Sequence, residues 1–225
     1  MFQLSGGTLQ GRQHALLGRN SQDAFAWAER DGRLAAVVCD GCGSAPHSEA
    51  GARIGARIAV EELLRHGTDL PAARTAILGR LTKVAAALEG AAGEYLLFTL
   101  VGAVVAEEAV VFSCGDGLLA VNGAGQALGP DEAPPYLAYA LLPGTVGEPA
   151  LSAFIERRRL PATELISLAL GTDGALELLG GGLDVLAEDP LVWSNPDGLR
   201  RRLVQLRRQG LFADDATLVL LRRAL

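Results

Sequence analysis

Residues 34–49 read LAAVVCDGCGSAPHSE. Five apolar residues and a cysteine run without a break into Asp40-Gly41. A strand apolar on both faces is buried on both faces, so another layer must lie on each side of it. The loop that follows is rich in glycine, and Ser48 can open a helix. An acidic residue at the mouth of a buried strand, beside permissive backbone, is a natural ligand position for a hard divalent cation. Asp-Gly is also a common turn pair. The other carboxylates of the chain therefore decide what Asp40 is for.

Around this stretch the pattern is regular. Gln3 to Gln10 reads as a first strand, and Gly11 to Gln22 as a polar loop carrying His14 and Arg19. Ala24 to Glu29 and Arg33 to Cys39 form a hairpin across Asp31-Gly32. Ser48 to His66 reads as a helix. Its Glu49, Arg53, Arg57, Glu61 and Arg65 recur every four residues as one narrow charged stripe, and most of the rest is apolar. A second helix starts near Asp69, with Pro71 in its first turn, and ends near Gly90. Tyr95 to Ala106 and Ala109 to Cys114 form a second hairpin. Leu118 to Val121 extends it as a meander, turned by Asn122-Gly123.

Gly129 to Pro149, with Pro130, Pro134, Pro135, Pro143 and Pro149, reads as an irregular excursion. Leu151 to Arg157 and Glu164 to Leu170 are strand candidates, and Ala175 to Leu179 a short helical piece. Pro196 to Gln209 reads as a helix capped by Asn195, with Leu199, Leu203 and Leu206 facing the core. Ala216 to Leu221 closes the chain as a strand. Steady βαβ alternation is absent, which disfavours a doubly wound parallel sheet. The expected class is α+β: antiparallel sheets with helices packed outside, in one domain spanning residues 1–225.

Composition narrows the function. Of the 225 residues 49% are hydrophobic and 20% charged, as in a folded globular chain. The net charge of −6 argues against a nucleic-acid partner. No apolar run reaches the roughly 18 residues needed to span a bilayer. The N-terminal MFQLSGGTLQ lacks the features of a secretion signal, so a cytoplasmic location is expected. Three cysteines suit a reducing compartment. Cys39 and Cys114 read as small apolar strand residues. A zinc site from Cys39, Cys42, His47 and Cys114 lacks a second closely spaced ligand pair.

The acidic residues repeat the setting of Asp40. Asp116 follows AVVFSCG, Asp173 follows ISLALGT, Asp214-Asp215 precedes ATLVLL, and Asp23 precedes AFAWA. Five strands thus carry an acid at one end, and the ends of adjacent antiparallel strands share an edge. Carboxylates gathered there repel one another, and a divalent cation relieves the repulsion. Oxygen-only ligands favour Mg2+ or Mn2+ over zinc.

Five motifs in order, NSQDAFA, VVCDGCGSAPHSEAGA, FTLVGAVV with FSCGDG, LALGTDGALE and DDATLVLL, resemble the metal-dependent serine/threonine protein phosphatases of the 2C type in their compact bacterial form. The resemblance implies an α-β-β-α sandwich, two central, mainly antiparallel sheets flanked by helices. It also implies hydrolysis of phosphoserine and phosphothreonine in proteins, opposing bacterial serine/threonine kinases, with two or three Mg2+ or Mn2+ ions. Asp40 would bridge two metals together with the Gly41 carbonyl, and Asp173 and Asp214 would complete the first site. Asp23 would hold metal-bound water. Asp116, Asp173 and Glu177 match the positions of a third, weaker ion. Gln22 stands where the family usually has Glu, which predicts a looser second metal. The usual phosphate-binding Arg position is Gly18, leaving Arg19 or His14 for that role. The competing expectation is a pseudophosphatase that binds a partner or a phosphorylated segment without turnover.

Overall fold

The computed structural model describes residues 1–129, 135–142 and 154–224. Among them, ten strands form two antiparallel five-stranded sheets. The strands are β1 (Phe2–Leu9), β2 (Ala24–Arg30), β3 (Arg33–Cys39), β4 (Leu100–Val105), β5 (Glu108–Cys114), β6 (Gly117–Val121), β7 (Ala124–Leu128), β8 (Phe154–Pro161), β9 (Ser167–Gly171) and β10 (Ala216–Arg223). One sheet has the order β2-β3-β4-β5-β8 and the other β1-β10-β9-β6-β7. The helices are α1 (Arg12–Leu17), α2 (Ser48–His66), α3 (Leu70–Ala87), α4 (Ala92–Tyr95), α5 (Gly182–Glu188), α6 (Pro190–Ser194) and α7 (Gly198–Arg208).

The unbroken apolar run of β3 is explained by its position. Leu34, Ala36 and Val38 point between the sheets, where they meet Leu119, Leu170 and Val219 of the other sheet. Ala35, Val37 and Cys39 point outward, onto Ala52, Ala56 and Leu63 of α2. Successive side chains of a strand alternate faces, so a strand between two layers needs apolar residues at every position. On the far side Leu118, Leu218 and Leu220 pack with Leu199 and Leu203 of α7. The layers run α-β-β-α, as expected.

α2 has the predicted bounds, and its charged stripe faces solvent. Glu62 lies off that stripe and is buried, ion-paired with Arg65 and Arg80. The first residue of α2, Ser48, does not cap it. Instead the Ser48 hydroxyl donates to the Cys42 carbonyl at 3.0 Å. α3 opens on Asp69, whose carboxylate accepts the Ala72 N–H at 3.0 Å. The Asp31-Gly32 and Asn122-Gly123 turns have all four residues at positive φ, the hairpin geometry the pairs predict.

Several expectations are corrected. The loop expected from Gly11 contains α1, whose start is fixed by Arg12 and Gln13 donating to the Phe212 and Ala213 carbonyls. β4 begins at Leu100, because Ala92–Tyr95 is helical and Phe98 only bridges Gly41. The meander does not exist: β5 and β6 belong to different sheets, and the chain crosses between them at Gly115-Asp116. α7 starts at Gly198, and Asn195 accepts the Asp197 N–H ahead of it. Gly180 and Gly181 precede two further helices, α5 and α6, that periodicity did not reveal. Pro130, Pro134, Pro143 and Pro149, and the start of the strand expected at Leu151, lie outside the described residues.

Small residues set how closely α2 approaches the loop before β4. A Cβ added at Gly51 would overlap the Tyr95 carbonyl, and one at Gly55 the Phe98 ring. Gly79 of α3 has open space around it. Helix propensity favours Ala over Gly at both sites. We predict opposite outcomes in urea denaturation: Gly79→Ala stabilises by about 0.5–1 kcal/mol, whereas Gly51→Ala destabilises by about 1–3 kcal/mol. Equal stabilisation by both would contradict the close approach.

Candidate active site

The sheet stack brings strand ends together at one edge. Asp40 follows β3, Asp116 lies in the crossing from β5 to β6, Asp173 follows β9, and Asp214 precedes β10. All four line one cavity of about 310 Å³, together with His14, Gln22, Gly41, Cys42, Gly43, Tyr136 and Asp215. The crossing depends on Gly115 and Gly117, whose φ of 94° and 141° lie where side chains are strained. The Asp40-Gly41 corner is held by backbone: Thr99 N–H donates to the Asp40 carbonyl at 2.8 Å, and Gly41 N–H to the Gln22 carbonyl at 3.2 Å.

Asp23 lies behind this wall and is only 3% exposed. Thr172 Oγ1 donates to its Oδ2 at 2.7 Å, and Thr172 in turn accepts the Thr217 N–H at 3.0 Å. Its other oxygen, Oδ1, is buried with no hydrogen-bond partner among the described residues. Gln22 is buried beside it. Gln22 Nε2 donates to Ser48 Oγ at 2.7 Å and to the Ala45 carbonyl at 3.2 Å, while Oε1 has no partner among the described residues. The amide at position 22 thus braces the loop leading into α2.

Burial pushes the Asp23 carboxyl up to about 7, in part offset by its bond from Thr172. Burial also raises Asp40 well above the usual carboxylate range, reinforced by the charges of Asp23, Asp173 and Asp116. Asp173 is raised by burial and by Asp214. Crowded carboxylates, an oxygen-rich wall and buried oxygens without donors fit a hard divalent cation. No such ion need be assumed for Asp215. It is buried and satisfied by N–H groups, Gly11 N on Oδ1 and Gln22 N on Oδ2, each at 2.7 Å, with His14 Nδ1 also 2.7 Å from Oδ2. One carboxylate ties α1, the start of β2 and the start of β10 together.

The residues singled out in the sequence divide accordingly. Asp40, Gly41, Asp116, Asp173, Asp214, Gln22 and His14 share the cavity, and Asp23 sits beneath it. Arg19 is exposed at the rim, with Nη1 3.4 Å from the Gly43 carbonyl. Glu177 is not brought to this cavity. It lines a separate cleft against α7, and its Oε1 accepts the Ala213 N–H at 3.2 Å. Sequence reading gave Thr172 and Tyr136 no role, did not separate Asp215 from Asp214, and read Ser48 only as a helix start. Thr172 was within reach, since it precedes Asp173. Tyr136 was not, because it lies in the proline-rich excursion with no periodicity to place it.

A family model described as protein phosphatase 2C matches residues 10–206. No curated protein matches the chain. Among solved structures, the chain is similar to a bacterial serine phosphatase, with 17% identity, TM-score 0.62 and coverage of 99% of this chain and 98% of that one. It is similar to the serine/threonine phosphatase Stp1 from Staphylococcus aureus at 18% identity and TM-score 0.62, covering 100% and 96%. It is also similar to PppA, a regulatory component of T6SS in Pseudomonas aeruginosa, at 22% identity and TM-score 0.60, covering 98% and 97%. At these identities the likeness is one of fold.

The Asp23 shift has a consequence for the metal-free protein. Its folded pKa of about 7 lies above the ordinary 3.8, so between those values the folded state binds more protons than the unfolded. Stability is therefore lost as pH rises through 7. Thermal unfolding in chelator from pH 5 to 8 should show a falling Tm, and Asp23→Asn should flatten that fall. An identical slope in both proteins would contradict the buried, raised carboxyl.

Proposed function

The chain belongs to the protein phosphatase 2C family, and we propose that it hydrolyses phosphoserine and phosphothreonine in proteins, with Mg2+ or Mn2+, opposing bacterial serine/threonine kinases. The observation that carries this reading is the set of Asp40, Asp116, Asp173 and Asp214 around one cavity, over buried Asp23.

Asp40, the Gly41 carbonyl, Asp173 and Asp214 would hold the divalent cations. Asp116, with Asp173, provides for a further ion, and Glu177 is left out of that assignment because it lines another cleft. The chemistry that bound divalent cations supply is Lewis acidity, which makes water a better nucleophile at neutral pH and offsets charge on phosphoryl oxygens. The protein's own groups do the positioning. Thr172 fixes Asp23, whose remaining oxygen would orient water. Gln22 fixes the loop that carries Gly41, Cys42 and Gly43. Arg19, exposed at the rim and one contact from Gly43, is the cation we assign to the incoming phosphate.

We place the reaction in the cytoplasm. Cys39, Cys42 and Cys114 are free thiols, and no described helix is long and apolar enough to cross a membrane. A second reading, a pseudophosphatase that binds a phosphorylated segment without turnover, is favoured by one observation. Gln22, where the resemblance has an acid, spends its amide on Ser48 and Ala45 and adds no charge to the cavity.

Hydrolysis of a phosphothreonine peptide with Mn2+ separates the two. We expect turnover that EDTA abolishes and that Asp40→Asn or Asp173→Asn lowers by at least roughly 10²-fold. A folded protein that binds Mn2+ but shows no turnover would overturn the enzyme reading in favour of the binding module.

A further inference from the structure

We propose that His14 is a nitrogen ligand to a divalent cation in this cavity, seated beside Asp214 and oriented by Asp215, so that the site favours a transition ion such as Mn2+ over Mg2+. The inference rests on the reading that the cavity takes divalent cations.

Its first support is geometric. Single ligand atoms of His14, Asp214 and Asp215 lie within 4.8 Å of one another, and all three residues line the cavity. The second is the use of the two ring nitrogens. Nδ1 is 2.7 Å from Asp215 Oδ2. A carboxylate accepts there, so Nδ1 is the donor, and the neutral ring that a metal binds has its lone pair on Nε2. An imidazole that ligates a metal usually gives its other N–H to a carboxylate in this way, which fixes both ring orientation and tautomer. Both oxygens of Asp215 already accept backbone N–H groups, from Gly11 and Gln22. Asp215 is therefore the residue that orients the ring, and Asp214 supplies the carboxylate ligand.

The third support is independent of the first two. Gln22 is 6% exposed, lines the same cavity, and its Oε1 has no hydrogen-bond partner among the described residues. A buried carbonyl oxygen without a donor is costly unless something electropositive occupies the space beside it. His14, Asp214 and Gln22 line the same cavity, where Nε2, a carboxylate oxygen and Oε1 would make a mixed nitrogen and oxygen donor set. Imidazole is a donor for first-row transition ions, most strongly from Fe2+ to Zn2+ and more weakly for Mn2+, whereas Mg2+ is held mostly through carboxylates and water.

The test uses the full chain loaded with Mn2+ and pulsed electron paramagnetic resonance to detect nitrogen hyperfine coupling from imidazole. The chain has three histidines. The His47 ring lies tilted against Tyr95, His66 Nε2 lies 3.6 Å from Glu62, and neither residue lines the cavity. We expect coupling in the wild type, its loss in His14→Ala, its retention in His47→Ala, and a fall in the ratio of Mn2+ to Mg2+ affinity in His14→Ala. Asp215→Asn should weaken Mn2+ binding about 10–100-fold. His14→Gln, which keeps a donor toward Asp215, serves if the alanine variant fails to fold. Mn2+ that binds and supports phosphopeptide turnover without imidazole coupling would overturn this inference and leave the phosphatase reading standing. Failure of Mn2+ to bind at all would overturn both.

Discussion

Mutual repulsion among carboxylates that the fold holds together is the constraint on which this molecule turns. Asp40 is pushed up by burial and then by Asp23, Asp173 and Asp116, in that order. Left to themselves, these groups would separate or stay protonated. They cannot separate, because each is fixed by an element that belongs to the core, and the pKa values of Asp23, Asp40 and Asp173 rise instead. Asp40 ends a strand buried on both faces, Asp173 ends another, and Asp116 sits where the chain passes from one sheet to the other. The sheets are held by apolar packing between Leu34, Ala36 and Val38 on one side and Leu119, Leu170 and Val219 on the other. Packing thus supplies what the electrostatics opposes.

Two adjacent residues show how environment assigns roles to one side-chain type. Asp214 is exposed to the cavity, while Asp215 is buried and accepts backbone N–H groups from two separate segments. Hydrogen bonds to a charged group are worth roughly 1.5–3 kcal/mol each, so Asp215 has a structural purpose without any metal. It also places His14. The same reasoning separates Thr172 from its neighbour Asp173: the hydroxyl locks Asp23, and the carboxylate faces the cavity.

Much of this was legible in the sequence, and the reasons are local. The run LAAVVC could only be a strand with a layer on each side, and α2 was bounded by its apolar circumference and charged stripe. Acids at strand ends, each beside a buried run, pointed to a shared site. What could not be read was which strands pair. Asp116 was expected in a meander, yet β5 and β6 lie in different sheets, and the acids converge because the sheets are stacked. That depends on contacts far apart in sequence, which no window of periodicity contains. α5 and α6 are too short to show a period. Glu177 matched a position in the resemblance, but its side chain turns to the Ala213 amide in another cleft. Gln22 was expected as a weak ligand, and the structure adds a second use, since its amide nitrogen braces Ser48.

The central claim is that the strand-end carboxylates form one divalent-cation site with Asp40 at its middle. Thermal unfolding of the wild type and Asp40→Asn, each titrated with Mn2+ at neutral pH, tests it most directly. Saturating cation at about 100 times the dissociation constant should stabilise the wild type by about 2.7 kcal/mol, which raises Tm by roughly 5–10 °C for a chain of this size. Asp40→Asn should lose most of that rise while remaining folded. A wild-type Tm indifferent to Mn2+, or an equal rise in both proteins, would contradict the account.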